Sequence, residues 1–153
     1  MEFYIDNREG SFEISDELNK LIENIILESL IVEGLSTEVE VSISFVDNAE
    51  IRELNKTYRN MDESTDVLSF PMDEDMLVPM PLLGDIIISV EMARDQANEF
   101  GHNLNREISY LIAHSMFHLM GYDHMDEDGK KEMRSKEKQV MKNLGIFKVR
   151  EEE

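Results

Sequence analysis

Three of the chain's four histidines fall within one short segment, His114-Ser115-Met116-Phe117-His118-Leu119-Met120-Gly121-Tyr122-Asp123-His124. On a helix, positions four apart differ by about 40° around the axis and one turn along it. His114 and His118 would therefore project side by side, as two ligands of one ion must. His124 lies six residues on, where a continuing helix would carry it off that face, so the helix has to end first. Gly121 supplies that ending, because glycine takes the left-handed cap conformation at little cost and lets the chain reverse. Three neutral imidazoles leave a fourth tetrahedral position for water, the pattern of a catalytic rather than a structural metal site. A histidine pair on a helix is by itself more often surface or satisfied core; the third histidine beyond the glycine is what points to a metal. His102, beside Gly101 in a loop, is read as noncatalytic. With no cysteine in the chain, zinc ribbons, disulfides and thiol nucleophiles are excluded, and the site has to be built from histidine and carboxylate. Affinity alone would favour copper or nickel, whereas tetrahedral geometry favours zinc.

The spacing His-x-x-x-His-x-x-Gly-x-x-His is also that of metzincin proteases. In those enzymes the residue after the first histidine is the glutamate that activates water; here it is Ser115, no base near neutral pH. Another group, or hydroxide formed at the metal, must do that work.

The elements that would position these residues can be read from periodicity. Phe3–Ile5 reads as a short strand, and Ile14, Leu18, Leu21, Ile22, Ile25 and Ile26 recur at helical spacing, with Ser15 or Asp16 as cap and Gly34 as stop. Val39, Val41, Ile43 and Phe45 alternate with Glu40, Ser42 and Ser44, a strand with one buried face. Asp47 and Glu50 form a capping box for a helix that turns Ile51, Leu54 and Tyr58 inward and carries Arg52, Lys56 and Arg59. Strands follow at 67–71 and 85–89, joined by the loop Met72–Leu83, whose acids and prolines suit a flap. Helices are expected over 90–100 and 106–120, and a last one carrying Met133, Val140, Met141 and Leu144 ends at Gly145. These interleaved elements predict an α+β or α/β arrangement with a mixed sheet, as a single domain over residues 1–150 followed by a frayed acidic tail, 151–153.

No apolar run is long enough to span a bilayer, and the first residues lack the basic flank and apolar stretch of a signal peptide, so a cytoplasmic protein is expected. The formal charge of −19 opposes nonspecific binding to a polyanion. The bases are unevenly placed, however: eight of fifteen lie after Gly129, and Arg52, Lys56 and Arg59 share one helix face, as a local patch or merely as a solvated surface.

With these segments in hand, the chain resembles the YbeY family of bacterial ribosomal RNA maturation endoribonucleases. Besides His114 to His124, the likeness is carried by Leu54-Asn55 with Tyr58-Arg59, by Ser64-Thr65-Asp66-Val67-Leu68-Ser69-Phe70-Pro71, and by Leu83-Gly84-Asp85-Ile86. The resemblance implies a small α+β fold with a mixed sheet beside helices, His114, His118 and His124 on one zinc ion, and an arginine in the cleft. It implies RNA as substrate: a metal-dependent, single-strand-specific endoribonuclease acting in 16S rRNA 3′ end processing and ribosome quality control, with ribosomal particles or proteins as partners. On that carry-over Arg59 meets a phosphate; Arg59 and His114 are expected to be catalytic, and Arg52 and Lys56, on the same helix face as Arg59, to bind substrate with it. A planar guanidinium suits a phosphate; the bland alternative for Arg59 is a surface ion pair with Asp62 or Glu63.

The family usually has glycine and leucine where this chain has Ser115 and Phe117; the serine is small enough to fit, and Phe117 either narrows the cleft or fills core. Asp123 either orients a ligand imidazole or shapes the turn, and Thr65 and Asp66 either cap or tie a loop to the site, and neither is read as catalytic. Two other functions stay open: hydrolysis of peptides or small molecules, and a non-catalytic ribosome-associated zinc-binding factor.

Overall fold

In the computed structural model, which describes residues 1–72, 80–122 and 126–146, the expected elements form a four-stranded mixed sheet and five helices. They run in the order β1 (Glu2–Asn7), α1 (Asp16–Glu33), β2 (Glu40–Val46), α2 (Asn48–Arg59), β3 (Val67–Pro71), β4 (Leu82–Ser89), α3 (Val90–Phe100), α4 (Leu104–Leu119) and α5 (Glu127–Asn143). The sheet order is β1-β2-β4-β3, with β1, β2 and β4 parallel and β3 antiparallel against β4. The acidic tail and residues 73–79 of the loop read as a flap lie outside the described residues.

Alternation along the strands sorts the core into two unequal parts. Val41, Ile43 and Phe45 of β2 and Ile86 and Ile88 of β4 face the large cluster shared with α1, α3, α4 and α5. Val46, Leu68 and Ile87 face the other way and meet Ile51 of α2, with Leu54 and Phe70 at the margin. Burying a side chain the size of Phe45 or Phe117 contributes about 1.5–3 kcal/mol, so most of the apolar stabilisation lies on the α4 side of the sheet.

Pairing sets several boundaries that periodicity alone misplaces. β4 begins at Leu82 rather than Asp85 because its start pairs with Glu40, which also donates its N–H to the carbonyl of Pro81. β1 likewise runs from Glu2 to Asn7 beside β2. α4 starts at Leu104 because the Asn103 side chain accepts the N–H of Arg106 as an N-cap. Tyr58, expected inward, is 66% exposed. At its C-terminal end α2 meets the edge strand β3, where Phe70 offers Tyr58 only an edge-to-face ring contact at 5.5 Å.

One glycine fixes how closely α4 approaches the sheet. A Cβ on Gly84 would stand 2.6 Å from both Leu119 Cδ2 and the Phe70 carbonyl oxygen. The last turn of α4 therefore lies directly against the β3–β4 pair, in a space that only glycine leaves open.

Candidate active site

α4 is buried along most of its length, and His114 and His118 are its half-buried exceptions near the C-terminal end. The helix stops as the sequence anticipates. Gly121 has φ 106°, its N–H donates to the carbonyl of His118, and the N–H of Tyr122 donates to the carbonyl of Phe117. These are the paired bonds of a Schellman motif, which places a hydrophobic contact between the residues now occupied by Phe117 and Tyr122. Their rings meet edge to face at 5.8 Å. Phe117, fully buried, thus fills core and clamps the turn, and does not line the cleft.

Reversal of the chain brings a carbonyl back onto the helix. His118 Nδ1 lies 3.0 Å from the Tyr122 carbonyl oxygen, so Nδ1 carries the proton and Nε2 keeps its lone pair. His114 Nδ1 lies 2.6 Å from a carboxylate oxygen of Glu137 on α5, which fixes the same tautomer when that carboxylate is ionised. The two Nε2 atoms face each other at 3.1 Å, with the rings nearly perpendicular. Two lone pairs at that distance repel unless a cation lies between them. Nitrogens each about 2.0–2.1 Å from one tetrahedral ion are about 3.3 Å apart, so the pair fits two ligands of a zinc-sized ion. Among the described residues no three histidine or carboxylate groups converge on one point, and His124 and Asp123 lie outside them.

Glu137 escaped the sequence reading, although a signal was there. It sits on the apolar stripe of α5, between Met133 and Val140–Met141, and is only 3% exposed. A carboxylate at such a position needs a partner, and His114 provides it. Tyr122 is anchored on the other side: its hydroxyl donates to Glu33 at 2.9 Å, and Lys136 of α5 pairs with the same carboxylate at 3.4 Å. Burial, and then the bond to Glu33, push the Tyr122 phenol up to about 12, so it remains a donor at neutral pH.

The cleft onto which both histidines open has a volume of about 700 Å³ and is also lined by Asn55, Arg59, Thr65, Asp66 and Tyr122. Arg59 comes from the last turn of α2, donates to the Ser69 carbonyl of β3, and lies over the Phe70 ring at 5.0 Å. It forms no ion pair with a described residue; Asp62 is taken instead by Arg52, at 2.8 Å. Arg52 and Lys56 are exposed and do not line this cleft. Asn55 is buried and donates to the Glu63 carbonyl, while Asp66 receives Gln96 and, more loosely, Thr65. These residues shape one wall of the cleft.

Ser115 is fully buried and absent from the cleft wall, so it takes no part in proton transfer there. His102 is buried with Glu107, 2.6 Å away, and is likewise not among the cleft residues.

A profile of the family described as Endoribonuclease YbeY matches residues 4–145. The chain belongs to the YbeY family. It is 50% identical over 147 residues to the Endoribonuclease YbeY of Finegoldia magna, covering 96% of each chain. To that of Clostridioides difficile it is 47% identical over 150 residues, covering 95% of this chain and 98% of the relative. Among solved structures, the solution structure of TM1509 from Thermotoga maritima is similar, with a TM-score of 0.57 and 25% identity, covering 95% of this chain and 92% of that one. In this member of the YbeY family, the blocks around Arg59, Thr65–Pro71, Gly84 and His114–Tyr122 converge. Three of them line the cleft, and the Gly84 block sets the approach of α4 to the sheet.

Proposed function

We propose that this protein is a zinc-dependent endoribonuclease that cuts single-stranded RNA, acting in the cytoplasm in maturation of the 16S rRNA 3′ end and in ribosome quality control. The observation that carries the metal reading is the facing pair of Nε2 atoms, 3.1 Å apart, opening onto the same cleft as Arg59. His124, two residues past Tyr122, is the third ligand in this reading. The family membership and the names of the relatives support RNA as the substrate.

His114, His118 and His124 would hold the zinc ion, which would supply Lewis acidity toward a phosphoryl oxygen or water. The remaining chemistry falls to the chain. Glu137 and the Tyr122 carbonyl hold the two imidazoles in the tautomer that presents Nε2. Arg59, already desolvated on one face by Phe70, offers its other donors to the phosphate and offsets charge that develops on it during cleavage. With a net charge of −19 the protein attracts RNA weakly at long range, so affinity rests on contacts near the site, and selectivity on docking to ribosomal particles or their basic proteins.

The test compares single-stranded, duplex and ribosome-embedded RNA at matched concentration, with His114→Ala as the control for contaminating nuclease. Slow cutting of single strands, sparing of duplex and an inert His114→Ala protein are expected. Faster cutting of duplex, or equal cutting by the control, defeats the reading. Analysis of the new ends then identifies the nucleophile. A cyclic phosphate marks attack by the ribose 2′-hydroxyl; a 3′-hydroxyl end together with cleavage of DNA marks attack by water.

A further inference from the structure

The acidity of the chain makes any run of bases informative, and the densest run lies on α5. Between Gly129 and Asn143 this helix carries six basic residues and two acidic ones, and both acids are engaged elsewhere: Glu137 on His114, and Glu132, more loosely, near the Tyr122 hydroxyl. Its sides have distinct tasks. Met133, Glu137, Val140 and Met141 are buried against the core, and Lys136 and Asn143 bond to Glu33 and Glu28 of α1. Lys131, Arg134, Lys138 and Lys142 follow one another at intervals of three and four residues along a separate, exposed flank. Lys131, Arg134 and Lys142 form no ion pair with any described residue, in contrast to Arg8, Arg52 and Arg94.

This flank adjoins the cleft through residues whose side chains wall neighbouring recesses. His114 lines the cleft on one side and, on the other, a smaller recess walled by Tyr110, Lys130, Met133, Arg134 and Glu137. Arg134 in turn lines both that recess and an open groove along α5 formed by Lys131, Ser135, Lys138, Gln139 and Lys142. A strand leaving Arg59 past the histidines therefore meets a basic path about 16 Å long, from Lys131 to Lys142 at 1.5 Å per residue. Arg52 and Lys56, which the sequence offers for RNA contact, lie off this path.

We infer that the exposed basic flank of α5 is a second, sequence-independent binding surface for the phosphate backbone of RNA, holding the strand beyond the cleavage point. The inference rests on the nuclease reading above and adds the direction in which the substrate runs. An acidic protein partner would suit the same charges, but it would not require the groove to join the cleft at His114. The surface also answers the charge conflict, since a few aligned cations bind a polyanion locally even when the net charge is unfavourable.

The experiment uses metal-loaded full-length protein and 5′-labelled single-stranded RNAs of four and twenty nucleotides, with anisotropy read before measurable cleavage. In the triple variant Lys131→Gln, Lys138→Gln, Lys142→Gln, the preference for the long RNA over the short one should fall at least tenfold. Its salt slope on the long RNA should drop by about 2, because each phosphate contact to a single strand contributes about 0.7. The corresponding triple arginine variant should keep both, which separates lost charge from lost folding. Lys20→Glu on α1, which shifts the net charge by two against the three lost in the glutamine variant, controls for global charge and should change the preference less than twofold. An unchanged long-RNA preference in the glutamine variant, or an equal loss in Lys20→Glu, overturns the inference while leaving the nuclease reading standing. Wild-type protein that cuts neither RNA overturns that reading instead.

Discussion

α4 and α2 each bring part of the site to one cleft, yet they are built to different standards. α4 is packed against α1, α3, α5 and the sheet, and ends in a fully bonded Schellman turn. Each of its two histidines has its outer nitrogen engaged, one by Glu137 and one by the Tyr122 carbonyl. α2 rests on a cluster of four buried side chains, and its contribution, Arg59, sits at an exposed C-terminal turn held by one carbonyl and one aromatic face. The difference matches what each group must do in the proposed nuclease. Metal ligands have to be placed within a few tenths of an ångström before the ion arrives, and that placement needs a core behind it. A guanidinium meeting a phosphate can finish its alignment when the substrate binds, so a thin support suffices.

On this contrast, the largest effects should come from the α4 half. His118→Ala should raise the zinc dissociation constant by at least a thousandfold, and His114→Ala should behave alike; competition with a chromophoric chelator measures this independently of cleavage. Glu137→Gln keeps the shape and an acceptor but loses the charge, and should weaken zinc about 10–100-fold. Replacing the zinc with cobalt and recording its visible spectrum tells whether the ligand geometry survives in that variant. Full zinc occupancy in both histidine variants would remove the metal centre from this account.

The α2 half should respond in activity without a change in metal content. Arg59→Ala is expected to lower RNA cleavage at least tenfold with zinc stoichiometry and melting temperature unchanged, and Arg59→Lys to restore only part, because an ammonium cannot reproduce the planar fork. Cleavage at the normal rate by Arg59→Ala would leave the cation over Phe70 as a surface ornament and make the cleft one-sided.

The parts of this site that were legible in the sequence are those whose chemistry is local. The four-residue spacing of His114 and His118, the stop at Gly121 and the cap of α2 by Asp47 depend on neighbours within one or two turns. Strand alternation likewise exposed the buried face of β2. Long-range partners were not legible. Glu137 lies 23 residues from His114, and only its place on an apolar stripe hinted that it was engaged. The exchange of partners at the end of α2 was hidden for the same reason. The sequence offers Asp62 as a partner for Arg59, but the fold gives it to Arg52, about two turns back along the helix, and turns Arg59 toward a strand that the sequence could not position.

That exchange supplies the smallest and most discriminating prediction. The bond and charge of Arg52 hold the Asp62 carboxyl below its ordinary value of 3.8. A carboxyl lowered on folding stabilises the native state above its unfolded-state value, and the contribution is lost as pH falls through the lower native one. Both partners are more than half exposed, so the effect on stability at pH 7 should be slight. Arg52→Ala should move the Asp62 titration upward into the usual carboxylate range, as read from side-chain chemical shifts between pH 2 and 6. At neutral pH the same variant, and Lys56→Gln beside it, should cut single-stranded RNA within twofold of the normal rate, since neither side chain reaches the cleft. A tenfold loss in either would mean that α2 presents a substrate-binding face rather than a single arginine. The contrast with α4 would then lie in rigidity alone, not in the number of groups each helix contributes.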